Sequence, residues 1–539
     1  MSKPTISRVR PDDSEWPSEV SWNRLNQEVG GQLIKVLSPL VACMDAPPRL
    51  NCTHVFKQLK NPYYLGDEVG LTQTLGWVGA WTSRPSTYAV AVRTTQDVVA
   101  AVNFARENNL RIVVKGGGHS YQGTSNSVDS LLIWTRRLNA VTLQDAFICA
   151  GCADEPQQAV TVESGAIWGQ VYDVVTTKAG RYAQGGGCMT VGVAGLIQSG
   201  GFGSFSKAYG MAATSLLEAE IVTADGAVRT ANTRTNPELF WGIKGGGGGS
   251  LGVVTRLTLR THSLPEFFGN FSTTIQARSE VAFHRLIGRV VSFYSEALLN
   301  PHWGEQIVFR PGNVLEIKMV FQGLDHQQAE TIWQPFFDWV TSAPQDYRIV
   351  SAPIVVTVPA RHYWNAKERP AVVLTDERAG SPSANVFWAN NLEEVGMVLH
   401  GCQSAWIPVS LLQGDQQGKL VDSLFAATRH WEIVLHLNKG LAGAPAAAIN
   451  AAKDTAMNPA VLDAFALIIC AAAESPAYPN IPGQEPDLSA ARGHEEVIEK
   501  AMNEIRKALP SVGSYRVFFS DLTREPLQYL IRSHFSFHL

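Results

Sequence analysis

Two nucleophilic side chains each lie inside a glycine-rich stretch of this chain. His119 belongs to Gly116-Gly117-Gly118-His119-Ser120-Tyr121-Gln122-Gly123, and Cys188 belongs to the second stretch, Gln184-Gly185-Gly186-Gly187-Cys188-Met189-Thr190-Val191-Gly192. Glycine lets backbone N–H groups approach a phosphate closely and permits positive φ angles. Imidazole and thiol groups are both able to form covalent intermediates and adducts. The combination predicts a cofactor that is held through its phosphates and bonded covalently to the protein.

Other nucleotide-binding patterns fit poorly. A dinucleotide fingerprint of the Rossmann type needs a strand, G-x-G-x-x-G and then an apolar helix. A predicted strand follows residues 245–252, polar residues follow residues 116–118, and residues 200–203 lie in a predicted loop of small residues. No Walker A sequence with G-K-S/T occurs. The sequence therefore argues against NAD binding and against nucleotide hydrolysis.

The remaining cysteines leave several interpretations open. With Cys188 set aside, Cys43, Cys52, Cys149, Cys152, Cys402 and Cys470 form an even set that allows disulfides without requiring them. Cys149 and Cys152 form a C-x-x-C without a second pair, which favours a loop disulfide or incidental thiols over a metal site. Asn51 and Asn270 begin glycosylation sequons that matter only in a secreted protein.

A β-α-β unit delivers the chain into the first glycine stretch. Residues 88–92 and 111–115 read as strands, and residues 96–105 have helical spacing with Thr94 or Thr95 as the N-cap. Further strands are predicted at 131–134, 159–163, 216–223 and 252–259, and a helix at 167–179 precedes the second stretch. The first 80 residues read as an irregular wrap with one short helix near residues 23–37.

The pattern changes near residues 263–265, where we place a domain boundary. Residues 306–310 and 314–321 read as adjacent antiparallel strands, and 489–509 as an amphipathic helix. Residues 431–439 alternate, with Ile433 and Leu435 on one face and Glu432 and His436 on the other. That polar face is either solvated or lines a cavity.

Length and charge bound the function. A chain of 539 residues is too long for one core, and its 45% hydrophobic and 17% charged residues are typical of a globular protein. A net charge of −4 without a basic block argues against nucleic acid and an anionic membrane as partners. No segment approaches the length of a membrane span, and the N-terminus lacks an apolar signal region. The expected location is the cytoplasm, or a secreted or periplasmic one if the N-terminus is incomplete.

Taken together, these motifs resemble the FAD-binding PCMH-type oxidases of the vanillyl-alcohol-oxidase (VAO) superfamily, and among them the berberine-bridge-enzyme-like (BBE-like) flavoproteins. Besides the two stretches above, the resemblance rests on Gly200-Gly201-Phe202-Gly203 and on residues 240–249, and it runs from about residue 92 to 264. It implies an α+β fold, with a two-subdomain FAD-binding domain and an antiparallel-sheet substrate domain covered by helices. The implied divisions are residues 1–84, 85–265, 266–485 and 486–539.

The resemblance also implies roles for individual residues. His119 is expected to bond the flavin 8α-methyl group, and Cys188 to bond flavin C6. Backbone amides of residues 116–120 are expected to hold the pyrophosphate. The full set of expected FAD contacts is Gly116, Gly117, Gly118, His119, Ser120, Cys188, Thr190, Val191, Gly192, Gly195, Gly200 and Gly201.

Three residues compete as the catalytic base. Tyr515 occupies a position where relatives place an active-site tyrosine, and a phenol with a reference pKa near 10 needs a cation such as Lys439 nearby. The alternation of residues 431–439, however, predicts that Lys439 points away from the polar face of His436. Glu432 and His436 are the rivals. Phe202 stands where some relatives have a second tyrosine, so a two-tyrosine site is not expected.

The expected function is an oxidase that transfers a hydride from an alcohol, a sugar or an aromatic alcohol, to FAD and releases peroxide after reaction with O2. Val191 occupies the position that gates oxygen in this family, and a valine there favours oxidase over dehydrogenase. The alternative is a catalytically impaired flavoprotein-like product with a binding or structural role, because residues 522–539 lack the Tyr-Asp-Pro segment of relatives. Oligomeric state and substrate identity stay open.

Overall fold

A computed structural model describes residues 8–44, 50–393, 395–474, 476–478 and 481–509. Tyr515 and the tail that follows it lie outside the described residues. Within them, the N-terminal half of the chain contributes the strands β1 (Leu33–Lys35), β2 (Thr74–Trp77), β3 (Trp81–Thr82), β4 (Tyr88–Ala91), β5 (Arg111–Lys115), β6 (Ser130–Trp134), β7 (Val141–Phe147), β8 (Gln157–Glu163), β9 (Arg181–Tyr182), β10 (Leu216–Val222), β11 (Val228–Asn232) and β12 (Val253–Arg260).

The C-terminal half contributes β13 (His262–Ser263), β14 (Phe267–Ala277), β15 (Trp303–Arg310), β16 (Val314–Gln322), β17 (Tyr347–Pro359), β18 (Val373–Thr375), β19 (Val386–Trp388), β20 (Met397–Pro408), β21 (Ile433–His436) and β22 (Ala464–Glu474). The α-helices are α1 (Glu19–Glu28), α2 (Leu50–Gln58), α3 (Pro62–Asp67), α4 (Thr95–Glu107), α5 (Trp168–Tyr172), α6 (Val193–Gln198), α7 (Ser206–Tyr209), α8 (Pro237–Ile243), α9 (Glu280–Phe293), α10 (His326–Thr341), α11 (Gly414–Ala427), α12 (Ala446–Lys453) and α13 (Leu488–Ala508).

Two sheets carry the glycine loops. A four-stranded sheet has the order β1-β4-β6-β5, with β4, β6 and β5 parallel and β1 antiparallel at its edge. A five-stranded antiparallel sheet has the order β11-β10-β12-β8-β7. The predicted β-α-β unit is present as β4, α4 and β5. Its helix begins with a capping box in which the Thr94 side chain accepts from the Asp97 N–H, so Thr94 is the N-cap.

A nine-stranded sheet organises the second half, in the order β17-β14-β16-β15-β21-β22-β20-β2-β3. Apolar side chains on one face of this sheet and on α9, α10, α11 and α13 form one large core. This confirms the predicted α+β class with a helix-covered antiparallel sheet. The single parallel pair among its described strands joins β2 to β20. The predicted division into four segments is a separate matter and stays a prediction.

The prediction for the first 80 residues was wrong in two respects. The expected helix at 23–37 ends near Val29, because Gly30 and Gly31 adopt φ angles of 60° and 82° and end it, and β1 follows. The segment is also less irregular than expected, since β2 and β3 extend the nine-stranded sheet. Both strands are short. The partner of β2, β20, lies more than 300 residues away and β3 pairs only with β2 among the described strands, so local periodicity could not reveal them.

Two disulfides, Cys43–Cys52 and Cys149–Cys152, join described cysteines. Cys188, Cys402 and Cys470 form no disulfide with a described residue. The C-x-x-C is thus a loop disulfide, and the nearby Asp154 carboxylate does not make a thiolate site of it. No helix in the described part of the chain is long and apolar enough to cross a membrane.

Candidate functional site

The first two glycine loops touch each other backbone to backbone. Strand β5 ends at Lys115 and leads directly into Gly116. A Cβ atom on Gly117 would lie 2.7 Å from the Gly192 nitrogen and 2.8 Å from the Thr190 carbonyl oxygen. Gly118 adopts a φ of 77°, which favours glycine. Only residues without a side chain permit this approach, so the glycines bring the loops of His119 and Cys188 together.

Buried Lys115 fixes the point where β5 enters the first loop. Its Nζ donates to the carbonyl oxygens of Val69 at 2.6 Å and Leu71 at 2.8 Å. Burial lowers the pKa of Lys115 to about 7, with the nearby Glu68 carboxylate acting in the opposite direction. The Gln73 N–H donates to the Gly118 carbonyl oxygen at 2.9 Å. The segment before β2 therefore holds the first glycine loop in place through these hydrogen bonds.

His119 and Cys188 meet at one hydroxyl group. The Thr190 Oγ1 atom lies 3.0 Å from His119 Nε2 and 3.6 Å from Cys188 Sγ. Desolvation lowers the pKa of His119 to about 4, and a hydrogen bond with the Thr190 backbone opposes this only in part. The imidazole is therefore neutral near pH 7. With Nε2 engaged by Thr190, Nδ1 is the nitrogen that remains to bond an electrophilic carbon.

The second loop is shaped by aromatic residues beneath it and open space beside it. A Cβ on Gly185 would lie 2.2 Å from the Trp168 ring, and the Tyr172 hydroxyl donates to the Gly186 carbonyl at 2.6 Å. At Gly187 and Gly195, by contrast, a Cβ would meet no described atom within 4 Å. Both glycines are exposed to solvent, and the neutral His119 imidazole and the Cys188 thiol beside the two glycine loops are groups that fit FAD.

The third glycine loop links the two halves of the chain. Gly200 and Gly201 adopt φ angles of 89° and 61°, and a Cβ on Gly200 would lie 2.9 Å from the Met457 sulfur. Phe202 lies under Lys439, whose Nζ is 4.2 Å from the ring centroid. The alternation of residues 431–439 predicted that Lys439 points away from the polar face of His436. That prediction was wrong, because β21 ends at His436 and the Lys439 N–H turns back to the His436 carbonyl.

The rival bases lie on the polar face of the nine-stranded sheet. Arg310 donates to the Glu432 carboxylate and also pairs with Glu316 at 3.0 Å. His436 lies opposite Gln306 in the ladder, with its Nδ1 3.4 Å from the Gln306 amide. Burial, and secondarily the Lys439 charge, holds the pKa of His436 well below its usual range. Glu432 is occupied by an ion pair, and His436 is a weak proton acceptor.

The other predicted residues are placed as follows. The Ser120 hydroxyl lies 2.8 Å from the Thr124 hydroxyl within the first loop. Val191 is partly buried against the core of the FAD-binding half, with its carbonyl oxygen accepting from the Trp168 N–H at 3.1 Å. Tyr515, the first-ranked base, lies outside the described residues.

One residue near these loops was missed by the sequence analysis. Glu305 lies in β15 with a φ of 71°, and its carboxylate accepts hydrogen bonds from Ser204 and Asn438. The predicted strand began at Gln306, so the residue before it received no attention. The available signal was Gly304, because a glycine inside a strand marks a close approach of another backbone.

Comparison with known proteins gives this site its context. Residues 86–232 match the family model described as an FAD binding domain. The chain is 36% identical over 278 residues to the FAD-linked oxidoreductase malF of Malbranchea aurantiaca, covering 48% of this chain and 47% of that protein. The chain thus spans about half the length of the curated relatives it matches.

Solved structures share the fold across most of the chain. A VAO-type flavoprotein of Myceliophthora thermophila C1 has a TM-score of 0.73 at 22% identity, covering 94% of this chain and 89% of that one. The glucooligosaccharide oxidase of Acremonium strictum has a TM-score of 0.59 at 18% identity, covering 81% and 83%. That enzyme is described as carrying 6-S-cysteinyl, 8α-N1-histidyl FAD. At these identities the likeness establishes the fold.

Proposed function

We propose that this chain is an oxidase of alcohols. It contains an FAD-binding domain, is related to FAD-linked oxidoreductases and has the fold of VAO-type and BBE-like flavoproteins. It removes a hydride from a sugar or aromatic alcohol and releases hydrogen peroxide. The observation that carries this proposal is the meeting of His119 and Cys188 at the Thr190 hydroxyl, inside two touching glycine loops.

The cofactor is bound covalently at both residues in this proposal. FAD supplies the redox chemistry, accepting two electrons as a hydride and passing them to O2. Backbone of Gly116, Gly117, Gly118 and Ser120 holds the phosphates, and the open space beside Gly187 and Gly195 admits the ring system. His119 bonds through Nδ1 and Cys188 through its sulfur. The described linkage of the Acremonium enzyme supports the same pair of residue types here.

A neutral His119 suits the attachment step. A protonated imidazole has no lone pair on either ring nitrogen, whereas a ring with a pKa of about 4 is neutral across the physiological range. Thr190 holds the ring from Nε2 and so fixes the direction of Nδ1.

Substrate binding is assigned to the polar face of the nine-stranded sheet. A continuous ion-pair network on β15, β16 and the residue before β21 joins Arg310, Glu316, Lys318 and Glu432. Such a surface offers donors and acceptors for a hydroxyl-rich substrate. This supports a sugar in particular, as does the fold shared with a glucooligosaccharide oxidase. The partners are thus a small molecule and O2, with Val191 setting oxygen access.

Tyr515 stays a proposed base, with Glu432 and His436 as rivals. The Arg310 ion pair occupies the Glu432 carboxylate, and the lowered pKa of His436 disfavours proton uptake by its ring. Both facts lower the standing of the two rivals relative to Tyr515.

The test begins with the purified protein. Acid precipitation should leave flavin absorbance in the pellet, which H119A and C188A should each reduce and the double variant abolish. Peroxide release should follow on a panel of mono- and oligosaccharides and benzylic alcohols. Yellow protein with a colourless pellet would disprove covalent attachment. Protein without any flavin would support the alternative of a catalytically impaired product with a binding or structural role.

A further inference from the structure

Glu305 lies at the seam between the FAD-binding half and the nine-stranded sheet. Its Oε1 atom accepts hydrogen bonds from the Ser204 hydroxyl and from the Asn438 amide, the latter at 3.2 Å. Ser204 directly follows the third glycine loop, and Asn438 lies two residues after the end of β21. A Cβ on the adjacent Gly304 would lie 1.8 Å from the Ser204 carbonyl oxygen. The carboxylate is therefore held from both sides of the seam.

The backbone at Glu305 is strained in a way that strand formation does not require. Its φ of 71° is in the left-handed region, which costs a residue other than glycine about 1–3 kcal/mol. Its neighbours Gly304 and Gln306 keep regular register with β16. The strain turns the Glu305 side chain out of the apolar core that Trp303 and Ile307 enter on the same strand. A strained acidic residue beside the glycine loops is a candidate for chemistry rather than for folding.

The second carboxylate oxygen has capacity to spare. No described residue donates to Glu305 Oε2, and the buried Asn438 Oδ1 likewise lacks a described partner. Lys439 is the cation that acts on Glu305, and Tyr182 and Tyr363 are the other titratable groups that face it. Burial raises the pKa of both tyrosines, so they stay neutral beside it. The partly buried Glu305 carboxylate thus keeps one acceptor oxygen without a described donor.

We propose that Glu305, rather than Tyr515, is the proton acceptor for the substrate hydroxyl, a role that rests on the oxidase function proposed above. The hydroxyl proton moves to Oε2 as the C–H bond breaks, the hydride leaves to the flavin, and the alcohol becomes a carbonyl compound. Two electrons and two protons then pass to O2, so the carboxylate returns to its charged form. Asn438 orients the carboxylate through the hydrogen bond from its amide to Oε1.

Electrostatics at the seam suit a base. Burial raises the pKa of Glu305, while the Ser204 hydrogen bond and the Lys439 charge lower it. A raised pKa increases the basicity of the carboxylate near neutral pH. The Glu432 carboxylate, by contrast, is paired with Arg310, and burial lowers the pKa of His436.

The experiment compares wild-type protein with E305Q, with S204A, and with E330Q as a carboxylate control on the exposed face of α10. Flavin content is measured first. The rate of anaerobic flavin bleaching by each alcohol of the panel is then measured against pH. E305Q should keep its flavin, and its bleaching rate should fall about 100-fold. The limb of the pH profile in which the wild-type rate rises with pH should be absent. S204A should move that limb to higher pH, because it removes a hydrogen bond to the charged form. E330Q should behave as wild type.

A second readout needs no turnover. When a carboxyl group has a higher pKa in the folded state than in the unfolded state, the protein loses stability as pH rises from the unfolded-state pKa to the folded-state pKa. The unfolding free energy of E305Q relative to wild type should therefore increase with pH across that window. A difference independent of pH would overturn the proposal.

The outcomes separate the two levels of inference. Wild-type protein that lacks flavin, or that no alcohol bleaches, overturns the oxidase function and this role with it. Wild-type bleaching that E305Q retains with the same pH limb overturns the role of Glu305 alone. A slower E305Q with an unchanged limb also overturns it, since that pattern indicates a structural contribution.

Discussion

The Thr190 hydroxyl lies 3.0 Å from His119 Nε2, and this single contact joins the two glycine loops through side chains. Cys188 Sγ lies 3.6 Å from the same oxygen. Thr190 thus sets the orientation of one proposed attachment residue while contacting the other. Residues that orient a ligating histidine from its second nitrogen commonly matter as much as the ligand itself.

We expect T190V to lower the fraction of covalently bound flavin severalfold. Valine has a similar shape but cannot hydrogen-bond to Nε2, so the imidazole loses its fixed direction. T190S keeps the hydroxyl and serves as the matched control, with flavin content near that of wild type. The measurement is flavin absorbance in the acid-precipitated pellet per mole of protein. Equal attachment in T190V and T190S would show that the contact is incidental.

G117A should destabilise the fold and reduce flavin content together. Its Cβ would lie 2.7 Å from a backbone nitrogen of Gly192, an atom that cannot move without displacing the Cys188 loop. Such overpacking costs about 1–3 kcal/mol. The control is G418A, in helix α11, where a Cβ meets nothing within 4 Å and helix propensity predicts a gain of up to about 1 kcal/mol. Thermal unfolding monitored by circular dichroism distinguishes the two.

Lys207 should make stability depend on pH above neutrality. This fully buried residue donates to the Gly440 and Phe465 carbonyl oxygens at 2.8 and 3.0 Å, and burial lowers its pKa to about 7. The unfolded chain, with an ordinary lysine pKa near 10.4, binds more protons between these values. Stability of the wild type relative to K207M should therefore rise with pH from about 7 to 10, by an amount on the order of 2–4 kcal/mol.

The check for Lys207 is chemical denaturation of both proteins at several pH values. K207R is a useful companion, because guanidinium keeps its charge throughout this range and should show no such rise. A constant difference between wild type and K207M would indicate that Lys207 stays protonated in the folded protein at every pH tested.

V191L should slow the reaction of reduced flavin with O2 and leave substrate reduction nearly unchanged. Val191 is partly buried beside the Cys188 loop, and a larger side chain there reduces the space beside the proposed flavin. Stopped-flow mixing of reduced protein with O2 gives the rate, and V191A is the control that should react at least as fast as wild type. A V191L rate equal to that of wild type would remove the gating role.

The sequence alone was sufficient for the features that depend on local chemistry. Glycine clusters predicted loops of close backbone approach, Thr94 or Thr95 predicted where α4 begins, and periodicity predicted β5, β15, β16 and α13. The FAD-binding class was implied by the resemblance of the motifs in these loops to a known flavoprotein family. Each of these signals arises from residues adjacent in the chain, so their backbone preferences suffice to reveal them.

The tertiary structure decided what depends on contacts between distant segments. The shared Thr190 hydroxyl, the strained Glu305 at the seam and the position of Lys439 over Phe202 join residues from separate elements. Strands β2 and β3 were missed because their stability comes from pairing with β20 and each other. Alternation misplaced Lys439 because β21 ends three residues earlier. A side chain's direction and its pKa are set by neighbours that only the folded chain brings together, and the sequence carries no direct record of them.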